Sequence, residues 1–149
     1  MLTQLSIRNF ALIASADIAF STGFTSITGE TGSGKSILLG ALNLILGERA
    51  DYSVIRDTEK KTVVEAVFQI ADLHKEWFEA QDIDWETETV IRREITAQGK
   101  SRAFINDTPV QLTQLKELTE QLIYIHSQHQ TLELKKPGFQ LSLLDGFAG

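Results

Sequence analysis

Hydrophobic and polar residues alternate in short runs along the chain, and this two-residue period is typical of β-strands with one buried face. The runs lie at residues 5–9, 16–20, 62–70, 89–95 and 101–105. The last two are joined through Ala97-Gln98-Gly99-Lys100, which predicts a hairpin. Residues 24–28 form a further strand-like run, and residues 123–125 are apolar and β-prone, so we expect short strands in both segments.

A helical period of three to four residues marks four other segments. They lie at residues 37–46, 72–81, 108–122 and 139–147. The first should end at Gly47, since glycine closes helices readily. The second is expected to use Asp72 as its N-cap. The third should follow a turn at residues 106–109 and start near Thr108 or Thr113.

A glycine-rich loop lies between the strand predicted at residues 24–28 and the first helix, and it matches the Walker A pattern in full. We expect its residues and the one after it to bind nucleotide: Gly29, Glu30, Thr31, Gly32, Ser33, Gly34, Lys35, Ser36 and Ile37. Backbone N–H groups and the helix N-terminus favour phosphate here, while Lys35 can reach the β- and γ-phosphates. The Ser36 hydroxyl is placed to ligate Mg²⁺.

Hydrolysis needs a second acid and a group that orients water, and neither is evident in the sequence. Asp57, Asp107 and Asp145 each follow apolar residues, but their surroundings predict a polar connection, a turn and a helix. Gln128 either faces Mg²⁺ and the attacking water or is an ordinary polar loop residue. His126 and His129 lack a third ligand nearby, so they are more typical of loop histidines than of a metal site. No Asn-Lys-x-Asp motif occurs, which argues against a GTPase.

Composition narrows the class of protein further. The chain has 149 residues, 42% hydrophobic and 23% charged, with no cysteine and a net charge of −6. These values predict a folded domain without disulfides, thiolate metal sites or bulk attraction to nucleic acid. The first residues do not resemble a secretory signal, and no apolar run is long enough to span a membrane. We therefore expect a cytoplasmic protein with no membrane partner.

Several motifs together resemble the RecN family of bacterial DNA repair ATPases. They are the N-terminal Ile7-Arg8-Asn9-Phe10, the Walker A loop, the hairpin from Arg92 to Asn106 and the stretch Ile125-His126-Ser127-Gln128-His129. The resemblance covers the chain in order. It places the sequence with the SMC (structural maintenance of chromosomes) group of ABC-type ATPases.

The resemblance implies an α/β fold of the P-loop NTPase type, with a mixed sheet around the Walker A loop and an antiparallel β subdomain. Residues 1–149 would be the N-terminal lobe of an incomplete half-head. Within it, residues 1–48 would carry the phosphate loop, 62–106 a strand-rich insertion, and 108–149 the Q-loop and the start of a helix toward a coiled coil.

The same resemblance implies roles and partners. Lys35 and Gln128 would act in catalysis, with Ser36 and Gln128 as ligands of Mg²⁺ and ATP as the substrate. Partners would be the C-terminal half of the same head, which carries Walker B and the signature motif, a second head in a homodimer, and DNA. The intact protein would hold DNA during double-strand break repair and associate with the nucleoid.

The residues alone leave other functions open. A small P-loop kinase would need an arginine-rich lid, and the lone Arg49 and Arg56 do not supply one. A nucleotide-sensing module that never hydrolyses is a second alternative. For DNA contact, the predicted hairpin carries Arg92, Arg93, Lys100 and Arg102. The first two are adjacent and must face opposite sides of the strand, so a solvated hairpin with local ion pairs competes with a DNA surface.

Overall fold

A computed structural model describes residues 1–28, 34–123 and 125 of the chain. The described elements are β1 (Leu2–Phe10), β2 (Ile13–Ala19), α1 (Lys35–Ile45), β3 (Thr62–Gln69), α2 (Lys75–Ala80), β4 (Glu88–Ile95), β5 (Ser101–Ile105), β6 (Thr108–Val110) and α3 (Leu112–Leu122). The six strands form one sheet in the order β2-β1-β3-β4-β5-β6. Every neighbouring pair in it is antiparallel.

One face of this sheet forms the core because alternate residues of each strand point to the same side. Buried residues on that face include Leu5, Ile7, Val64, Ala66, Phe68, Ile91, Ile95, Ala103 and Ile105. Helix α1 packs over β1, β3 and β4, and α3 packs over β5. The helices contribute Leu38, Ala41, Leu44, Ile45, Leu115 and Leu118. The helix that follows the phosphate loop is therefore fixed on a two-layer core.

The strands predicted by alternation are confirmed at β1 to β5, including the β4–β5 hairpin. Strand β6 was not predicted, because Pro109 in a three-residue edge strand gives the same signal as a turn. The strand predicted at residues 24–28 is wrong for the described chain. No described strand pairs with this segment, and its Phe24 and Ile27 are 96% and 47% exposed. The described sheet is antiparallel throughout, so the mixed part of the expected core is not found among these residues.

Three of the four helix predictions, those at residues 37–46, 72–81 and 108–122, are confirmed in position and corrected at their ends. Helix α1 is followed by Gly47 at φ 85°, as expected. Asp72 does not cap the second helix: a 3₁₀ turn opens that segment, so Asp72 lies inside the first turn and pairs with Lys75 at 3.4 Å. Helix α3 begins at Leu112, and Gln111 forms a capping box with Gln114.

Two remaining predictions concern the end of the described chain. Ile123 and Ile125 are half-buried and belong to no strand. The helix predicted at residues 139–147 lies outside the described residues. Within the described part of the chain, no helix has both the length and the hydropathy needed to cross a bilayer.

Candidate phosphate-binding site

The described part of the predicted phosphate loop is its last turn, where the chain enters α1. Gly34 is the N-cap residue with φ 138°, and Leu38 N donates to the Gly34 carbonyl at 2.8 Å. Such a φ is rarely adopted by residues with a side chain, so glycine is required at this position. A Cβ added to Gly34 would meet no heavy atom of the described residues within 4 Å. The constraint that these residues place on Gly34 is therefore conformational.

The N-terminus of α1 has the electrostatic character of an anion site. Among the described residues, no side chain caps it, and its first turn contains no acidic residue. Lys35 and Ser36 are both exposed there. The backbone amides of a helix N-terminus and the helix dipole together favour a negatively charged group at such an end. These residues fit a phosphate, with Ser36 as the hydroxyl available to Mg²⁺. Residues 29–33 lie outside the described residues.

The rest of α1 is held firmly against the sheet. Its C-terminus is closed by a Schellman motif, in which Glu48 N donates to the Asn43 carbonyl at 3.0 Å and Gly47 N to the Leu44 carbonyl at 3.2 Å. Phe10 packs along the helix at Gly40, where an added Cβ would lie 3.5 Å from the ring. The amide groups at the N-terminal end of α1 thus belong to a rigid element.

The connection from α1 to β3 is tied to two neighbouring elements. The Asn9 side chain donates to the carbonyls of Asp57 and Lys60 at 2.9 and 3.0 Å and accepts from Asp57 N at 2.8 Å. Tyr52 donates its hydroxyl to the Gly99 carbonyl of the β4–β5 hairpin at 2.8 Å. The connection is therefore anchored to the end of β1 on one side and to the hairpin on the other.

The acids considered from the sequence are occupied by local contacts. The Asp57 carboxylate accepts from Glu59 N at 3.0 Å and pairs with Lys60 at 3.4 Å. The backbone hydrogen bond from Glu59 is the main reason that the pKa of Asp57 lies below its ordinary value. Asp107 pairs with Arg92 at 3.0 Å. Among the described residues, no three or more acidic or histidine side chains are grouped to hold a metal ion.

Four further candidates fall outside the described residues: His126, Gln128, His129 and Asp145. The expected role of Gln128 as a ligand of Mg²⁺ stays a prediction.

The cations of the hairpin do not lie on one face, as the alternation of strand positions predicts. Arg93 is fully buried on the core face, whereas Arg92 lies on the other face. Arg92 is surrounded by Glu65, Glu94 and Asp107, and its guanidinium lies 4.6 Å from the Phe104 ring centroid. Lys100 and Arg102 are exposed at the hairpin. The four charges therefore do not form one patch.

The chain is similar in sequence and in fold to known proteins. Residues 1–127 match the family described as the RecF/RecN/SMC N terminal domain. This match covers most of the sequence, and the chain belongs to that family.

The individual relatives agree with the resemblance seen in the motifs, which is thereby confirmed. The chain is 48% identical over 151 residues to the DNA repair protein RecN of Vibrio cholerae. It is 44% identical over 153 residues to the DNA repair protein RecN of Haemophilus influenzae. The alignments cover 100% and 99% of this chain but 27% of each relative. The chain thus spans about a quarter of the length of these relatives.

Solved structures of similar fold include SMC head domains. One chain, from work on the ATP-driven dimerisation and DNA-stimulated activation of SMC ATPases, aligns with a TM-score of 0.67 at 22% identity and 99% coverage of both chains. The Smc head domain of Pyrococcus furiosus, solved with the C-terminal domain of ScpA, aligns with a TM-score of 0.63 at 25% identity. That alignment covers 80% of this chain and 32% of the other. The fold class of the chain is therefore that of part of an SMC-type ATPase head.

The structural roles of some residues near this site were not predicted from the sequence. Asn9 and Tyr52 anchor the connection after α1, and the buried Arg93 contacts the C-terminal end of α1. A signal existed for Arg93, since it shares the inward-facing positions of β4 with Thr89, Ile91 and Ile95. An arginine at such a position indicates a buried cation with structural partners rather than a surface charge.

Proposed function

We propose that the chain is the ATP-binding N-terminal segment of a RecN-type DNA repair ATPase. Intact, such a protein would act in recombinational repair of double-strand breaks through ATP-driven dimerisation of its heads. The observation that carries the proposal is the N-terminus of α1. It follows a complete Walker A sequence. Among the described residues, it has neither a side-chain cap nor an acid in its first turn, and no heavy atom lies within 4 Å of a Cβ added at Gly34.

The residue roles follow from the chemistry of this helix end. Backbone N–H groups of residues 29–37 would donate to the phosphates of ATP, and Lys35 would neutralise charge on the β- and γ-phosphates. The Ser36 hydroxyl and the Gln128 amide oxygen would hold Mg²⁺, which supplies further charge neutralisation when bound. Lys35 and Gln128 are the residues proposed to act during hydrolysis, Gln128 by orienting the attacking water.

The C-terminal half of the same head is the proposed covering partner of α1. One side of the helix is buried on the sheet through Ala41 and Ile45, while Leu39, Leu42 and Leu46 on other sides are only half-buried. The unpaired segment before the phosphate loop exposes Phe24 and Ile27. A second lobe that pairs with residues 24–28 and covers these leucines would bury this apolar surface. It would also supply the acid that the described residues lack.

A second head and DNA are the remaining proposed partners, in a cytoplasmic protein that reaches the nucleoid during repair. Lys61, Lys100 and Arg102 line a cleft of about 310 Å³ that also contains Glu94. Lys61 is paired with Glu94 at 2.9 Å. Phosphate contacts would therefore fall mainly to Lys100 and Arg102. Replacing both with alanine in the intact protein should weaken DNA binding and reduce its dependence on salt concentration.

Two other functions predict different behaviour. A P-loop kinase of this length would transfer phosphate without any added lobe. A sensing module would bind nucleotide and never hydrolyse it, even with the remainder of the head present. Neither is favoured by a specific contact among the described residues.

Titration with Mg-ATP tests the binding proposal directly. We expect saturable binding by the chain, a loss of at least tenfold in affinity for Lys35→Ala, and a similar response to Mg-ADP because Lys35 contacts the β-phosphate. Lys60→Ala is the matched control, since Lys60 is an exposed lysine paired with Asp57 in a distant loop. Absence of binding, or equal binding by the Lys35→Ala and Lys60→Ala variants, would refute the proposal.

A further inference from the structure

Arg93 is a fully buried cation placed at the C-terminal end of α1. Its Nη1 donates to the carbonyls of Leu44 and Glu48 at 2.9 and 3.2 Å, and its Nη2 donates to the Ser101 hydroxyl at 2.8 Å. Burial lowers the pKa of the guanidinium, with Tyr52 acting in the opposite direction. An arginine stays protonated in proteins, so a positive charge is enclosed here.

The acceptors of this charge are dipoles rather than an anion. Within the described part of the chain, no carboxylate pairs with Arg93, and its Nε has no hydrogen-bond partner. The last turn of α1 contains no basic residue. Arg93 therefore supplies, from the neighbouring strand, the cation that the negative end of this helix dipole favours. The single side chain joins three elements: α1, the turn after it, and the first residue of β5.

The geometry of α1 makes this contact relevant to the opposite end of the helix. Eleven residues span about 16 Å at 1.5 Å per residue, so a tilt of about 5° at one end moves the other by about 1.4 Å. Groups that bind phosphate through aligned N–H bonds are sensitive to displacements of this size. Among the described residues, no side chain caps the N-terminal end of α1.

We infer that Arg93 is a positioning residue for the phosphate site. It anchors the C-terminal end of α1 to β4 and β5, so that the amides near Lys35 and Ser36 are held where phosphate oxygens bind. Arg93 acts through the helix and does not touch the nucleotide. Because Ser101 lies between Lys100 and Arg102, the same contact connects the exposed cations of the hairpin to the phosphate helix. This role rests on the proposed ATP-binding function.

Affinity for Mg-ATP in four variants separates this role from a purely structural one. Arg93→Met removes the charge and all three hydrogen bonds, and we expect about tenfold weaker binding at a temperature where the variant is folded. Arg93→Lys keeps the charge but cannot form the three-way contact. Its affinity should lie between those of Arg93→Met and the unsubstituted chain. Ser101→Ala removes one acceptor near the surface and should weaken binding about twofold to threefold. Arg92→Met is the matched control on the opposite face of β4, and its affinity should remain within twofold of the unsubstituted chain.

A second readout uses the reciprocity of coupled sites. If Arg93 positions the phosphate site, bound nucleotide must in turn stabilise the Arg93 contacts. On saturation with Mg-ATP, exchange of the Arg93 Nη protons, followed by NMR, should slow by a factor at least three times larger than that of the buried backbone amides of the sheet. A guanidinium with a purely structural role would slow no more than those amides, which report the overall stabilisation of the folded state by bound nucleotide.

The outcomes are distinct. Failure of the unsubstituted chain to bind Mg-ATP overturns the proposed function and this role with it. Normal binding that Arg93→Met leaves unchanged overturns the role of Arg93 alone. If Arg93→Met does not fold, unchanged affinity in Ser101→Ala together with Arg93 proton exchange that slows no more than that of the sheet amides overturns it.

Discussion

Asn9 and Asp57 exchange two hydrogen bonds across 48 residues of sequence. The Asn9 Nδ2 group donates to the Asp57 carbonyl at 2.9 Å, and the Asp57 amide donates to Asn9 Oδ1 at 2.8 Å. Asn9 is buried and adopts φ 55°, a conformation that asparagine tolerates better than most residues. This pair fixes the connection after the phosphate helix to the end of β1.

Replacing Asn9 with alanine should destabilise the chain by about 2 to 3 kcal/mol. The change removes three hydrogen bonds and places alanine at a positive φ. Urea unfolding measures the loss, and hydrogen exchange at the Asp57 amide measures the local opening. Asn9→Gly is the control for backbone strain: it should lose the same amide protection while remaining about 1 kcal/mol more stable than Asn9→Ala. Full protection of the Asp57 amide in both variants would contradict the described contact.

Gly47 should be far less tolerant of alanine than Gly40. At Gly47 the backbone has φ 85°, and an added Cβ would lie 3.2 Å from Lys116 Cβ and 3.3 Å from the Leu112 carbonyl oxygen. We expect Gly47→Ala to cost about 1 to 2 kcal/mol or more, since strain and close contact add. Gly40 lies inside α1 with 3.5 Å to the nearest atom of Phe10, so Gly40→Ala should be neutral or up to about 1 kcal/mol stabilising. Equal unfolding midpoints for the two variants would be inconsistent with this account of the helix end.

The Asp17 carboxylate should make stability depend on pH in the acid range. It accepts from the Ser6 hydroxyl and forms a two-point contact with Arg8 at 2.8 and 2.9 Å. The Ser6 hydrogen bond and then Arg8 lower the pKa of Asp17 from its ordinary value of 3.8. A lowered pKa in the folded state gives stability that is present above about pH 3.9 and is lost as pH falls through the folded value.

Comparison with the Asp17→Asn variant isolates the contribution of the Asp17 carboxylate to stability. The stability difference between the two chains should be constant near pH 6 and should shrink as pH falls below about 4. Thermal unfolding at a series of pH values provides the measurement. A difference that stays constant down to pH 2.5 would show that the ionised carboxylate contributes nothing.

Alternation predicted most of the sheet because β1, β3, β4 and β5 each have one buried face. Strand β3 illustrates this alternation. Its residues Val64, Ala66 and Phe68 face the core, and one half-buried residue lies between each of them and the next. The same pattern could not reveal β6, whose three residues include Pro109 at the sheet edge. It also overstated residues 24–28, because a strand-like run becomes a strand only where another strand pairs with it.

The sequence indicated the chemistry of the phosphate site. It did not indicate the contacts that hold the phosphate helix in place. Glycines followed by Lys35 and Ser36 predict the ligand class from their spacing, and the start of α1 at Lys35 is where that motif requires a helix. Arg93 could not be assigned in the same way, because its partners are the carbonyls of Leu44 and Glu48, which are more than 40 residues away in sequence. Contacts with backbone groups leave no motif.

The most direct test of the account is ATP turnover by this chain, first alone and then mixed with the downstream half of the head. We predict binding without turnover for the chain alone, hydrolysis after the downstream half is added, and no hydrolysis when the added mixture contains the Lys35→Ala variant. Turnover by the chain alone at the rate of the mixture would contradict the proposal. It would mean that these 149 residues hold a complete active site.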